Sequence, residues 1–205
     1  YVYSRPLRHE VLEDRCLLTS VVNLSPADGS LVTPPRLDSV ATAVASLTAM
    51  DGGNGGWAVL YGEDAVTTDG LQLVIDEDVL RDEERSHTSE QVAFVMFEDA
   101  PFAGASWIET GVVHGVTESW QTVTLDNSYT SMVVVATPTY DSSTVPLVPR
   151  IRNAAGNSFE VRVDRVDGLS DPLGTGIPLQ YLVVEEGVYT QAAHGVTMEA
   201  VKFIS

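Results

Sequence analysis

The tetrapeptide His114-Gly115-Val116-Thr117 recurs as His194-Gly195-Val196-Thr197, and a longer echo runs beside it. Leu71-Gln72-Leu73-Val74-Ile75-Asp76 aligns with Phe159-Glu160-Val161-Arg162-Val163-Asp164, 88 positions on. Continued without a gap, the alignment sets Phe94-Val95-Met96 on Leu182-Val183-Val184 and Glu98 on Glu186. Self-similarity at a period of this size restricts a chain to tandem or stacked units of one supersecondary design. Leu71, Leu73 and Ile75 alternate with Gln72, Val74 and Asp76, as Phe159, Val161 and Val163 do with Glu160, Arg162 and Asp164. A period of two with one polar face describes a half-buried strand.

The rest of the chain fits the same class. Met132 to Ala136 and Val92 to Phe97 are apolar at every position, so these strands lie centrally in a sandwich or face a neighbouring subunit. Turn signals separate the runs at Asp51-Gly52-Gly53-Asn54-Gly55-Gly56, Asp69-Gly70, Ala155-Gly156-Asn157 and Asp167-Gly168. Val40 to Met50 is the best helical candidate, but its repeat partner is the β-branched run near Val133 to Pro138, which predicts a strand. The expected fold is therefore all-β, with tandem antiparallel sandwich units: a first, partial unit over 37–103, a second over 104–190, and the start of a further unit or a terminal strand over 191–205.

Composition bounds the partners. The 205 residues carry a net charge of −18 and a single lysine, Lys202. Such a surface repels nucleic acid and anionic lipid, and suits an extracellular or saline setting, divalent cations, or solubility alone. The lone Cys16 excludes an intramolecular disulfide framework. No apolar run approaches the roughly 20 residues needed to cross a bilayer as a helix.

Arg5, Arg8 and Arg15 precede the short apolar patch Cys16-Leu17-Leu18, a poor match to a secretory signal. The stretch Leu12-Glu13-Asp14-Arg15-Cys16-Leu17-Leu18-Thr19-Ser20 does resemble the LEPR-x-LL type segment that opens very large exported proteins of some environmental bacteria, with Asp14 where the commoner form has proline. That resemblance implies export to the cell surface or beyond, with residues 1–20 an address rather than part of a fold. The first residue is not methionine, from which a fragment or processed form is expected. Residues 21–36, with Pro26, Pro34 and Pro35, read as a linker or irregular edge.

From 105 to 190 the order of segments resembles an H-type lectin domain, a six-stranded antiparallel sandwich. The matching stretches are Gly111-Val112-Val113, Trp120 to Leu125, Ser131 to Pro138 with Tyr140-Asp141, Arg150-Ile151-Arg152-Asn153, Asn157 to Val161, and Leu179 to Glu186. Residues 37–100 resemble the latter part of the same domain, with no opening tryptophan strand found in 21–36. After Thr197, Met198 to Phe203 reads like the first strand of a third unit. The resemblance implies a trimer and a site for N-acetylgalactosamine-like sugars. The family's basic residue before Arg150 falls near Pro146, and its aromatic-plus-imidazole pair falls near Val166 and Asp167. With those absent, Trp107, Asp141, Arg150, Arg152, Arg162, Arg165 and Asp167 are the candidates for carbohydrate contact, since guanidinium and carboxylate groups supply the hydrogen bonds that sugar hydroxyls need.

Other chemistry is sparse. His9, His87, His114 and His194 are scattered, and no H-E-x-x-H or G-x-S-x-G pattern occurs. The repeated His114 and His194 read as a structural joint, and the glycines of 52–56 as a hairpin turn rather than a phosphate cradle. Asp76, Asp78, Asp82 and Glu84 form the densest acidic run, a candidate calcium site or a solvated ion-paired loop. Trp57 and Trp120 are read as core, Trp107 as the aromatic contact for a sugar face. The function expected is a non-enzymatic carbohydrate-binding or adhesive module of an exported bacterial surface protein. A structural spacer without a sugar site is the alternative, and a hydrolase using carboxylates such as Asp141 and Asp164 is a remote third.

Overall fold

A computed structural model of the chain describes residues 17–24, 30–32, 39, 42–49, 52–53, 55–80, 85, 88–98, 102 and 104–202. It is built almost wholly of strands: β1 Leu17–Leu24, β2 Ser30–Val32, β3 Thr42–Ala49, β4 Gly56–Tyr61, β5 Val66–Thr67, β6 Gly70–Glu77 and β7 Glu90–Phe97 in the first half. The second half holds β8 Ile108–Val116, β9 Gln121–Tyr129, β10 Met132–Tyr140, β11 Leu147–Arg165, β12 Ile177–Glu185, β13 Gly187–Tyr189 and β14 Met198–Ala200, with one turn of helix, α1 Gln191–His194. The all-β sandwich expected from period-two patterning is the observed class, and the alanine-rich run near Val44 is the strand β3.

β11 is too long to be one straight strand. Extended backbone advances about 3.3 Å per residue, so its ends would lie roughly 60 Å apart, yet Val166 N–H donates to Pro146 O at 3.1 Å. The segment doubles back at Asn153 and Gly156, both at positive φ (51° and 64°), and its two arms form a hairpin with Arg150 opposite Arg162. The second arm then pairs with β9.

With that hairpin resolved, the halves correspond pair for pair. The sheet order β1-β7-β3 matches β8-β12-β10, and β2-β6-β4 matches β9 followed by the two arms of β11. Ser30 opposite Leu73 corresponds to Gln121 opposite Val161, Ser20 opposite Phe94 to Gly111 opposite Tyr181, and Ala45 opposite Phe94 to Ala136 opposite Tyr181. Two expectations change. The stretches 17–20 and 21–36, expected as an address and a linker, contain β1 and β2, which stand where β8 and β9 open the second half; residues 1–16 lie outside the described residues. The ungapped alignment also slips by one at β7. Phe94 faces the core, as Tyr181 does, whereas Leu182 faces the other way, and a slip of one residue exchanges the faces of a strand.

The halves are not separate sandwiches. β4 pairs with β10 in parallel at Leu60–Thr139 and Tyr61–Tyr140, which fuses β2-β6-β4 and β10-β12-β8 into one sheet running across the expected boundary near 103. That sheet is a middle layer. On one side Leu60, Leu71, Leu73 and Ile75 pack against Val92, Phe94 and Met96. On the other, Val59 and Val74 continue into the cluster of Met132, Leu179 and Val183 against Phe159, Val161 and Val163. The strands apolar on both faces meet each other: Val44, Val95 and Phe97 pack with Val133, Val135, Leu182 and Val184, joined by Tyr189, Val196 and Ala200 from the C-terminal segment. Burying such side chains contributes about 1.5–3 kcal/mol each, which favours the fused arrangement over separated units.

The edge of β3 is also satisfied across this junction. Ala43 N–H donates to Gln180 Oε1 at 2.6 Å, and Ala45 N–H donates to Thr137 Oγ1 at 2.8 Å. Thr137 and Gln180 are a cross-strand pair, so one buried polar pair serves the edge that would otherwise leave main-chain donors unpaired. The repeated tetrapeptide occupies two different settings, the end of β8 and the end of α1, so it is not a shared joint. What it does share is local: Gly115 and Gly195 both sit at positive φ, and Val116 and Val196 are both buried. At Gly115 the β8–β12 register shifts, and Gly176 passes so close that an added Cβ would stand 2.4 Å from the Gly115 carbonyl carbon. Met198–Ala200, expected as the start of a further unit or a terminal strand, pairs with Gly187–Tyr189.

Candidate functional site

The hairpin of β11 places Arg150, Arg152, Glu160, Arg162 and Asp164 on one face, because alternate residues of a strand share a side and the two arms run opposite each other. Asp164 is the pivot. Its Oδ2 accepts from Arg150 Nε at 2.9 Å, and its Oδ1 lies 2.9 Å from Arg162 Nη2. Arg152 donates from Nε to Glu160 Oε2 at 2.7 Å, and Asn153 Nδ2 donates to the same oxygen. These two donors hold the Glu160 carboxyl below the usual carboxylate range, the Arg152 hydrogen bond being the larger influence.

Trp120, immediately before β9, lies against this face. The guanidinium carbons of Arg152 and Arg162 stand 4.0 and 4.8 Å from its ring centroid, within cation–π reach. Beside it opens a cleft of about 330 Å³ lined by Glu118, Arg150, Arg162, Asp164, Arg165 and Asp171 among others. Arg165 forms a fork with Asp167, Nε to Oδ1 at 3.1 Å and Nη2 to Oδ2 at 2.5 Å, which depresses the Asp167 pKa. Arg165 Nη1 also donates to the carbonyl of Asp171, so this arginine braces the cleft wall.

Of the expected sugar contacts, Arg150, Arg162 and Arg165 thus line one cleft, Asp167 fixes one of them, and Arg152 sits on the adjoining strand face. Two do not join them. Asp141 caps its own turn, accepting from Ser143 N–H at 2.9 Å and Ser143 Oγ at 2.5 Å, contacts that lower its pKa. Trp107 is packed: its ring stacks on Tyr189 at 4.4 Å and meets Phe102 and His194 at 5.1 and 5.4 Å. Trp107 is thus partly buried against the junction core, and Trp120, also partly buried, is the tryptophan that lies beside the arginine face. The sequence did carry a signal for Trp120: Arg150 and Arg152 share parity, as do Glu160, Arg162 and Asp164, on either side of the Ala155-Gly156-Asn157 turn.

Of the four candidate calcium ligands, Asp76 and Asp78 lie among the described residues. Asp76 is buried and already paired, with Arg85 Nη2 2.6 Å from Oδ2 and Arg85 Nε 2.9 Å from Oδ1. Tyr140 Oη donates to Asp76 Oδ2 at 2.8 Å, and Arg85 continues to the carbonyls of Ser142 and Thr144 at 3.2 and 2.6 Å. Asp78 Oδ1 accepts from Leu80 N–H, while Asp82 and Glu84 lie outside the described residues. Among the described residues no group of three or more His, Cys, Asp or Glu side chains converges on a cation position, and no helix is long and apolar enough to cross a membrane. No protein-family model, curated protein or solved structure matches the chain.

Proposed function

We propose that the chain is a non-enzymatic carbohydrate-binding or adhesive module of an exported bacterial surface protein, built from two related sandwich units and engaging its glycan on the outer face of the β11 hairpin. The observation that carries this reading is the convergence of Arg150, Arg162 and Arg165 with Asp164 around one shallow cleft, with the Trp120 ring against Arg162 beside it. Fixed, charge-supported donors beside an aromatic face are the two devices that sugar recognition uses, one for hydroxyl geometry and one for the apolar ring face. The H-type lectin resemblance supports the sandwich setting and, with it, a trimer of chains. The leader resemblance supports export. The pairwise strand correspondence supports tandem duplication.

A glycan array probed with the whole chain, with and without millimolar calcium, tests the proposal. Binding that is lost in Arg150→Ala with the fold intact supports it, and silence across neutral and charged glycans in both conditions rejects it. The spacer reading has its own observation: every cleft arginine already has a carboxylate partner within the chain. It predicts the silent array.

A further inference from the structure

The two halves provide an internal comparison. Val59 and Val74 of the β4–β6 pair stand opposite each other, and both are buried where the second half packs on that face. The matching positions of the β11 hairpin are Arg150 and Arg162, and Tyr61 is matched by Arg152. Asp76 corresponds to Asp164, and both carboxylates bind guanidinium groups, so the skeleton of the face persists while its apolar surface has become cationic. A merely solvated face in a chain of net charge −18 needs no such concentration, since only eleven lysines and arginines are present in all. Taken as a set, Arg150, Arg152, Arg162, Glu160 and Asp164 reverse the sign of the surrounding surface.

The hydrogen-bond inventory narrows the ligand. Asp164 has both oxygens engaged, Glu160 Oε2 takes two donors, and Glu118 Oε1 accepts from Leu173 N–H. The donors are in surplus. Among the described residues Arg150 and Arg152 use only Nε for their hydrogen bonds, leaving their terminal NH₂ groups unspent. A guanidinium held by a carboxylate on one edge presents its other edge in fixed geometry, the arrangement that suits a bidentate oxyanion. A neutral sugar hydroxyl would take one such donor at a time, whereas an oxyanion can take two from a single guanidinium edge.

We infer that the β11 face recognises an oxyanion-bearing saccharide, a uronate or sulfate ester, with Arg150, Arg152 and Arg162 donating to the oxyanion and Trp120 lying under the sugar ring. The inference rests on the proposed carbohydrate function of the same site and names its ligand class. Repulsion from the remaining acidic surface is screened beyond about 8 Å at physiological salt, so the local pairing decides.

The test is calorimetric titration of the whole chain at physiological salt with polygalacturonate, dextran sulfate, neutral dextran and inorganic sulfate. The expected result is binding to polygalacturonate or dextran sulfate, none to neutral dextran, and an affinity about ten-fold lower in Arg150→Gln and Arg162→Gln. Lys202→Gln, a charge change elsewhere, leaves it unchanged. Circular dichroism and the thermal midpoint establish that each variant folds; if either arginine variant does not, Arg152→Gln, whose side chain is 48% exposed, replaces it. Binding of neutral dextran as tightly as the charged polymers, or no loss in the arginine variants, overturns the inference while leaving the carbohydrate function standing. Inorganic sulfate competing charge for charge with the polymers overturns the saccharide part. Silence toward these polymers and a glycan array alike removes both proposals.

Discussion

Tyr140 of β10 donates its phenol hydrogen to Asp76 of β6 at 2.8 Å, across the line where the two halves of the chain join. The same hydroxyl accepts from Trp57 Nε1 at 3.0 Å, and Asp76 is clamped from the far side by Arg85. A buried carboxylate taken from water is costly unless its oxygens are fully engaged. Here both halves contribute to engaging it, so the ion pair favours their fused arrangement over separation. Tyr140→Phe removes one donor to a buried charge and is expected to cost about 1–3 kcal/mol. The urea midpoint should fall with the slope unchanged. A midpoint within experimental error of the parent would show that the contact carries no stability.

Glycine substitutions should rank by what a methyl group would strike. At Gly176 the new Cβ would lie 2.4 Å from the Gly115 carbonyl carbon, which is main chain and cannot rotate away. At Gly156 nothing stands within 4 Å, and only the positive φ is strained. Gly156→Ala should cost about 1–2 kcal/mol, and Gly176→Ala about 3 kcal/mol or failure to fold. The reverse order in thermal or chemical denaturation would contradict the close crossing at the β8 bulge.

Alkaline stability follows from the tyrosines. Burial, helped by the charges of Glu109 and Asp126, pushes the Tyr181 pKa up to about 12 from an ordinary 10. Burial and the Asp76 charge raise Tyr140 well above its ordinary range. A raised phenol pKa means that the unfolded chain releases its proton first as pH rises. The stabilising contribution is therefore complete below pH 10 and is lost progressively from about 10 toward 12. Urea midpoints measured from pH 8 to 11.5 should be flat at first and then decline, and Tyr181→Phe should flatten the decline. A decline of equal steepness in that variant would remove Tyr181 from the account.

Trp107 separates packing from recognition. Packed on Phe102, Tyr189 and His194 and partly buried, it should act through packing, with Trp107→Ala losing about 3 kcal/mol. Glycan affinity, measured on the folded fraction, should be unchanged. Loss of affinity without loss of stability would restore Trp107 as a contact and displace Trp120.

The sequence made much of this legible, because strand periodicity is a local property. The alternation at Leu71–Asp76 and Phe159–Asp164 identified β6 and the second arm of β11, and the doubly apolar runs announced strands covered on both faces. What covers them depends on how the halves meet, and no local pattern encodes the pairing of β4 with β10. The same limit explains β1 and β2. Their segment has prolines and a leader-like motif, while the reason they are strands is the main-chain partners offered by β7 and β6. The setting of Trp107 was hidden for a related reason: the glycine and serine around it suggested a surface loop, but Tyr189, distant in sequence, stacks on its ring. The arginines were found by type and then confined to one face by a hairpin turn that the sequence also signalled.

The central claim is that the β11 face, and not the junction, meets the ligand, and the three indole N–H signals of Trp57, Trp107 and Trp120 report on it directly. Proton–nitrogen correlation spectra of the whole labelled chain should be recorded as oligogalacturonate is added at physiological salt. The account predicts that the Trp120 indole and the Nε–H signals of Arg150, Arg152 and Arg162 move with saturation, while Trp57 and Trp107 stay in place. Movement of Trp57 or Trp107 with Trp120 fixed, or no movement of any, would contradict it.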